Sequence, residues 1–410
     1  MLMKKLLWAL LCVALSTPIA VAQEMDFINT AANHIELNGD DWGSLRTQLS
    51  RLKKQNGKFN IVQIGDSHVQ PGLICDRASR MVQYHYGNGG RGLIAPWALA
   101  GTNEPYDYRI SCVEPITKRS KLLSRTWDLK MGVTGVAVQW DSAQCKLSFR
   151  AKNKRDHSFS NVVLLHGSGG GYETARVGDQ VLFGKEMSPT ATAYRLSKMT
   201  DTVSMTLPCP TPFYGALLYN DSPGVVFHSI GNNGATFALY LKIDSFAVRL
   251  RDFSPQLVII SLGTNESLGN LDRLPGEIDR LVSGIRKANP NAKVLLTTPM
   301  ENHKKFTTQV ATKVKTGRAR RAKYKTVYKP HTTLGINDGA RKVRDIIMEY
   351  GRKNRVAVWD LYTIAGGRGS AAKWVAASLM NAHDHLHCLD SGYELQGMLL
   401  GDALVEVFKK

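Results

Sequence analysis

Short apolar runs alternate with amphipathic stretches at both ends of the chain, and a different rhythm fills the middle. Phe59-Asn60-Ile61-Val62-Gln63-Ile64 runs into Gly65, Val225-Val226-Phe227-His228-Ser229-Ile230 into Gly231, and Leu257 to Leu262 into Gly263. Near-continuous apolar runs stopped by glycine predict strands buried on both faces. Between and after them lie stretches of helical period: about Pro71 to Tyr86, closed by Gly87, Gly89, Gly90 and Gly92, then Asp272 to Ala288, Asp338 to Lys353 and Ser391 to Lys410. Ser391 reads as an N-cap, with Glu394 three residues on completing a capping box. Further strands are expected at Lys293 to Thr298 and Val356 to Leu361. Strands alternating with helices predict a parallel, doubly wound sheet of flavodoxin-like type.

From about residue 96 to 222 the period falls to two. Val136 to Trp140, Lys146 to Arg150, Val162 to Leu165, Val203 to Leu207 and Tyr214 to Tyr219 are short alternating runs separated by Gly, Pro, Asp and Ser. That pattern belongs to a β-sandwich or barrel. The simplest layout is one α/β domain over 23–95 and 223–410, split by an inserted β-rich module over 96–222.

Composition narrows the class. Of 410 residues, 43% are hydrophobic, which excludes global disorder. The first 22 residues read as an export signal: Lys4 and Lys5, an apolar stretch from Leu6 to Leu15, and Ala20-Val21-Ala22 as a cleavage site. Cys12 follows Leu11, where a lipidated cysteine wants a small residue, so a lipoprotein is not expected. No later segment is long and apolar enough for a membrane helix. The expected location is periplasmic or secreted. Cys75, Cys112, Cys145, Cys209 and Cys388 remain after cleavage, and one bridge is expected among the middle three, its pairing open. Their spacing is not that of a zinc site.

The net charge is +19, and much of it is concentrated. Lys304, Lys305, Lys313, Lys315, Arg318, Arg320, Arg321, Lys323, Lys325 and Lys329 fall in one acid-free stretch. Inside a cell such a stretch points to nucleic acid. On an exported protein an anionic envelope polymer is the expected partner and nucleic acid is not; the plainer alternative is a solvated, partly disordered loop.

Four short segments carry the candidate chemistry: Gly65-Asp66-Ser67-His68, Gly231-Asn232-Asn233-Gly234-Ala235-Thr236, Gly263-Thr264-Asn265-Glu266 and Asp384-His385-Leu386-His387. Each ends a strand or opens a loop on what would be one edge of the sheet, where open α/β folds keep their sites. In this order they resemble the four blocks of the SGNH (GDSL) hydrolase superfamily, over about 260 residues. The resemblance implies Ser67 as nucleophile, His387 as its base and Asp384 as the group that orients the imidazole. It also implies an oxyanion hole made by the Ser67 amide, the Gly234 amide and the Asn265 side chain. No cofactor and no metal are implied. His383, Asp384, His385, His387 and Cys388 also read as a metal cluster, but alternate positions of a short loop do not face one ion. Ser67 is expected at the start of a helix, where the dipole favours negative charge. His68 is expected to pack beside the site. Ser168, in His166-Gly167-Ser168-Gly169-Gly170-Gly171, lacks the first glycine of a nucleophile elbow.

Within the superfamily the chain is similar to the peptidoglycan O-acetylesterases of Gram-negative bacteria, through Gly-Asp-Ser-His, the glycine-rich stretch Gly87 to Gly92 and the inserted β-rich, carbohydrate-binding-like module. It departs at Glu266, where the third block usually carries Asp. The resemblance implies an exported serine esterase that removes O-acetyl groups from a glycan, peptidoglycan first. An O-acetyltransferase using the same acyl-enzyme, an esterase for other acetylated polysaccharides or lipids, and a non-catalytic envelope-binding protein remain open.

Overall fold

Five strands of the α/β part run parallel: β1 (Lys58–Gly65), β2 (Gly224–Gly231), β3 (Pro255–Ser261), β4 (Lys293–Thr297) and β5 (Ala357–Trp359). Their spatial order is β5-β4-β3-β1-β2, and a two-residue strand, Ile35–Glu36, adds to β5 in the antiparallel sense. The sheet is therefore mixed, not wholly parallel. The computed structural model describes residues 25–152, 157–316 and 323–410. The expected export signal, and Arg318, Arg320 and Arg321 of the basic stretch, lie outside them.

Side-chain alternation explains why the core strands read as unbroken apolar runs. Phe59, Ile61, Val225, Phe227, Leu257, Ile259 and Leu295 point to one face. There they meet helices α1 (Gly43–Arg51), α2 (Leu73–Tyr86) and α5 (Asp390–Lys409). Val62, Ile64, Ile230, Val258, Ile260, Val294 and Leu296 point to the other, against α3 (Leu274–Ala288) and α4 (Asp338–Asn354). With both faces covered, nearly every position along these strands is buried and no polar stripe survives. The start of α5 differs from the expected capping box. The helix begins at Asp390 without a side-chain cap, and the Ser391 hydroxyl donates instead to the Ser378 carbonyl at 3.1 Å.

Between Gly92 and Tyr219 the chain forms two antiparallel sheets, of seven and five strands. Val138, Phe159, Val162, Leu164 and Phe213 of the first and Ile110, Leu147, Phe149, Val203 and Met205 of the second make the core between them. The other face of the seven-stranded sheet presents Leu93, Ala137, Leu165, Tyr214 and Leu217 to the α/β core. Several strands here escape the sequence pattern. Lys118–Lys121 buries only Ser120, so charge conceals it. Cys145 and Cys209 are bridged, while Cys112, Cys75 and Cys388 are free.

The acid-free basic stretch is not a loop among its described residues. It is a long antiparallel hairpin, His303–Thr316 with Lys323–Ile336, in continuous register from His303↔Ile336 to Thr316↔Lys323. Thr, Val, Tyr and Phe recur between the lysines (Phe306, Thr308, Val310, Thr312, Val314, Tyr324, Thr326, Tyr328), and their strand preference outweighs like-charge repulsion.

The Cys145–Cys209 bridge spans 64 residues, so its loss frees a large loop in the unfolded chain. Replacing both cysteines by alanine is expected to lower the unfolding free energy by ~2–4 kcal/mol. Urea denaturation of the variant beside the wild type measures it.

Candidate active site

β1 and β2 end side by side, with Gly65 the register partner of Gly231. The chain leaves β1 through a compact turn: the N–H groups of Val69 and Gln70 both donate to the Asp66 carbonyl, at 3.2 and 3.1 Å. This turn lies directly across the end of β2. A Cβ on Gly231 would sit 2.1 Å from the Gln70 nitrogen, so only glycine fits there. Ser67 is held on the solvent side of the turn. Gly72, with φ +81°, precedes the first helical residue, Leu73. The helix therefore starts later than the expected Pro71. Ser67 stands outside its first turn, where a helix dipole acts. Individual N–H groups, not the macrodipole, are available to a charge on Ser67.

Ser67 Oγ lies 3.0 Å from His387 Nε2, and His387 Nδ1 lies 2.8 Å from Asp384 Oδ2. Asp384 Oδ1 accepts from the backbone N–H groups of Leu386 and His387, at 2.9 and 3.1 Å. Burial alone would raise the Asp384 pKa. The hydrogen bonds from His387 and from the two amides outweigh it and hold the carboxyl below its ordinary range. An ionised Asp384 keeps the imidazole proton on Nδ1, so Nε2 is left to accept from the Ser67 hydroxyl. All three groups are part-exposed, so the line Ser67–His387–Asp384 opens to solvent.

Asn265 Nδ2 donates to the Ala235 carbonyl at 2.9 Å, which uses one of its two hydrogens and ties the third block to the second. Gly234 adopts φ +72°. Among the described residues, the amide N–H groups of Ser67 and Gly234 have no protein acceptor. The structure thus brings together the four segments that sequence singled out. His383 and His385 do not join Asp384 and His387 around a common point. Among the described residues no group of three metal-ligating side chains converges.

Residues 208–395 match the GDSL-like lipase/acylhydrolase family. That stretch is similar to GDSL-like hydrolases. A match to an acylhydrolase family supports a serine esterase. Ser67 and its turn precede the matched residues, because the antiparallel sheets separate the first block from the rest. Among solved structures, a peptidoglycan O-acetylesterase superposes with TM-score 0.71 at 18% identity, covering 94% of this chain and 98% of that one. At that identity the likeness is one of fold, and it extends over the antiparallel sheets as well. A lipase/acylhydrolase from Enterococcus faecalis (20% identity, 45% of this chain, 77% of that chain, TM-score 0.28) is more distant. So is a GDSL-like lipase from Bacteroides thetaiotaomicron (20% identity, 45% of this chain, 76% of that chain, TM-score 0.30). No curated protein matches the sequence significantly.

Several groups that shape the GDSL-like site had no signal in sequence. Tyr240 OH donates to the Gly65 carbonyl at 2.7 Å and accepts from Asn232 Nδ2, locking the first block to the second. Gln70 Oε1 accepts from the Asn233 N–H at 2.6 Å, and Gln70 Nε2 reaches the Asn103 carbonyl at 2.7 Å. The side chain of Leu123 is exposed and borders Gly234: a Cβ there would lie 2.8 Å from it. Asn103 and Leu123 come from the segment between the first two blocks, and only tertiary folding brings them to Asn233 and Gly234.

His68 packs beside the site, as expected. Its ring stacks on that of His387 with centroids 5.4 Å apart, and Tyr393 OH lies 3.3 Å from its Nδ1. Burial pushes the His68 pKa down, which favours a neutral ring against the His387 imidazole. Behind it lies a cavity of about 40 Å³, bordered by Gln63, Asp66, Ser261 and Gln396. Its lining is mostly apolar, with Val69, Ile74, Met300, Trp359 and Leu361 beside those polar groups, and it is too small for a sugar ring.

Glu266, the departure from the family pattern, has a defined place. Its Oε1 accepts from the Phe237 N–H at 2.8 Å, at the start of the helical turn Phe237–Tyr240, so the longer side chain pins block three to block two. Burial pushes its pKa up to about 7, against which the hydrogen bond from Phe237 acts. The folded carboxyl keeps its proton to about pH 7, while an unfolded one loses it near 4.5. Wild-type stability therefore falls as pH rises through that window, by up to ~3 kcal/mol. Glu266→Gln keeps an acceptor for Phe237 and does not titrate. Its melting temperature relative to wild type is expected to be higher at pH 7.5 than at pH 4.5, read by thermal unfolding at the two values.

Proposed function

We propose that this chain is an exported serine carbohydrate esterase that removes O-acetyl groups from a cell-envelope glycan, peptidoglycan first. The hydrogen-bonded line from Ser67 through His387 to Asp384 carries the reading. In this mechanism His387 Nε2 takes the Ser67 proton as Oγ adds to the acetyl carbonyl carbon. The Ser67 and Gly234 amides and the second hydrogen of Asn265 Nδ2 receive the oxyanion. The protonated His387 gives its proton to the departing sugar oxygen, leaving acetyl-Ser67. Water, deprotonated by His387, then adds to that ester, and its collapse releases acetate and restores Ser67. Asp384 stabilises the imidazolium at both steps.

Three observations support the glycan as substrate. The part-exposed relay suits a polymer better than a deep acyl pocket would. Loops that connect the strands of the antiparallel sheets border the site through Leu123 and Asn103. The superposed O-acetylesterase covers those sheets too. An envelope substrate agrees with the export signal expected over residues 1–22, and no helix among the described residues is long and apolar enough to cross a membrane.

Acetate released from O-acetylated peptidoglycan, beside acetylated xylan, tests the reading. Wild type is expected to prefer peptidoglycan, and Ser67→Ala to release none above background. A Ser67-independent release, or a preference for xylan, overturns it. Asn265→Ala is expected to lose on the order of 10²–10³ in kcat with little change in KM, because the oxyanion exists only in the transition state. Steady-state hydrolysis of p-nitrophenyl acetate measures both constants.

A further inference from the structure

The basic hairpin is a two-stranded ribbon that pairs with no other strand of the described chain. At about 3.4 Å per residue each strand is about 45 Å long. None of its described side chains is buried. Isolated two-stranded ribbons are marginal in water, so a ribbon with two open faces is built for contact with something else.

Directly opposed residues share a face, and successive residues alternate. One face carries Tyr324 opposite Lys315, Thr326 opposite Lys313, and Tyr328 opposite Ala311. Tyr324 and Tyr328 are 65% and 67% exposed. They stand four residues, about 13 Å, apart, with the Lys313 position between them. Lys305 continues the row toward the base, opposite Leu334. No Asp or Glu occurs from Asn302 to Asn337, so the lysines have no acidic partner on the ribbon itself.

The base of the ribbon is fastened to the site. The His303 N–H donates to the His385 carbonyl at 2.9 Å, and the two rings lie 4.7 Å apart, two residues from His387. On the returning strand, Asn337 Nδ2 donates to Ser267 Oγ at 2.8 Å, two residues from Asn265. The ribbon therefore rises from the loop that carries His387 and from the segment that follows Asn265.

We propose that this hairpin is a docking arm for an anionic glycan strand. Exposed rings in line take the flat faces of sugars, and lysines beside and between them take carboxylates. The row mixes rings and charges on one face, unlike a membrane-surface element, which separates an apolar face from a basic one. An arm fixed to the catalytic loop raises the local concentration of ester at Ser67 and gives a polymer an avidity that a small ester does not share. The proposal deepens the esterase reading and rests on it for the substrate.

Two full-length variants test it: Lys313→Glu/Lys315→Glu for charge, and Tyr324→Ser/Tyr328→Ser for rings. Both are expected to hydrolyse p-nitrophenyl acetate within twofold of wild type, which also shows that the GDSL-like domain is folded. Both are expected to lose at least tenfold in cosedimentation affinity for purified peptidoglycan sacculi, and at least tenfold in kcat/KM on O-acetylated sacculi. Wild-type binding is expected to fall at 0.5 M NaCl, where charges are screened, and on sacculi whose carboxylates have been amidated. Variants that bind and deacetylate sacculi like wild type overturn the arm. So does wild-type binding indifferent to amidation, or binding to phosphatidylglycerol vesicles or duplex DNA in place of sacculi. The esterase reading is judged apart, by whether acetate release requires Ser67. Release that requires Ser67 but ignores the arm variants removes the arm alone, and arm-dependent binding without acetate release removes the substrate alone.

Discussion

The site depends on one close approach. The turn that carries Ser67 crosses the end of the neighbouring strand with its backbone almost touching Gly231, and Gly65 makes room for Val69 in the same way. Tyr240 OH then links the two strand ends, donating to the Gly65 carbonyl and accepting from Asn232 Nδ2. Because β1 and β2 are parallel and in register, fixing one end fixes the other. Ser67, just after β1, and the Gly234 segment after β2 are thus placed relative to each other by the sheet itself. A side chain at either glycine would force the turn away from the sheet.

The remaining parts reach this edge by independent routes. Asn265 arrives at the end of β3 and is tied to the Gly234 segment twice, through its own amide and through Glu266. Asp384 and His387 come from a loop before α5, shaped by Asp384 accepting both local amides and the imidazole. His387 is not carried by a strand, so its loop needs outside support. It receives some from the root of the basic hairpin at His303 and His385. His68 adds a flat neutral surface against the His387 ring.

Much of the α/β architecture was legible because its signals are local. Buried parallel strands read as apolar runs, glycines mark their ends, and amphipathic stretches mark the helices. The start of α2 was misplaced because Gly72, in a left-handed conformation, delays the helix past Pro71, and a propensity reading does not see that turn. The capping box at Ser391 failed because the hydroxyl finds a distant carbonyl at Ser378. The hairpin was hidden behind its charge: counting lysines drew attention away from the β-branched and aromatic residues between them.

The order of four short segments along the chain, through its resemblance to the SGNH blocks, was enough to single out Ser67, Gly234, Asn265, Asp384 and His387 as a candidate set. Sequence also carried the change of period that separates two kinds of sheet. The tertiary structure alone determined the Cys145–Cys209 pairing, the roles of Gln70, Tyr240 and Glu266, the arrival of Leu123 and Asn103 beside Gly234, and the anchoring of the basic ribbon on the catalytic loop. Those features are contacts between residues tens to hundreds of positions apart. No local propensity encodes such a contact, which exists only when the sheets have closed around their cores.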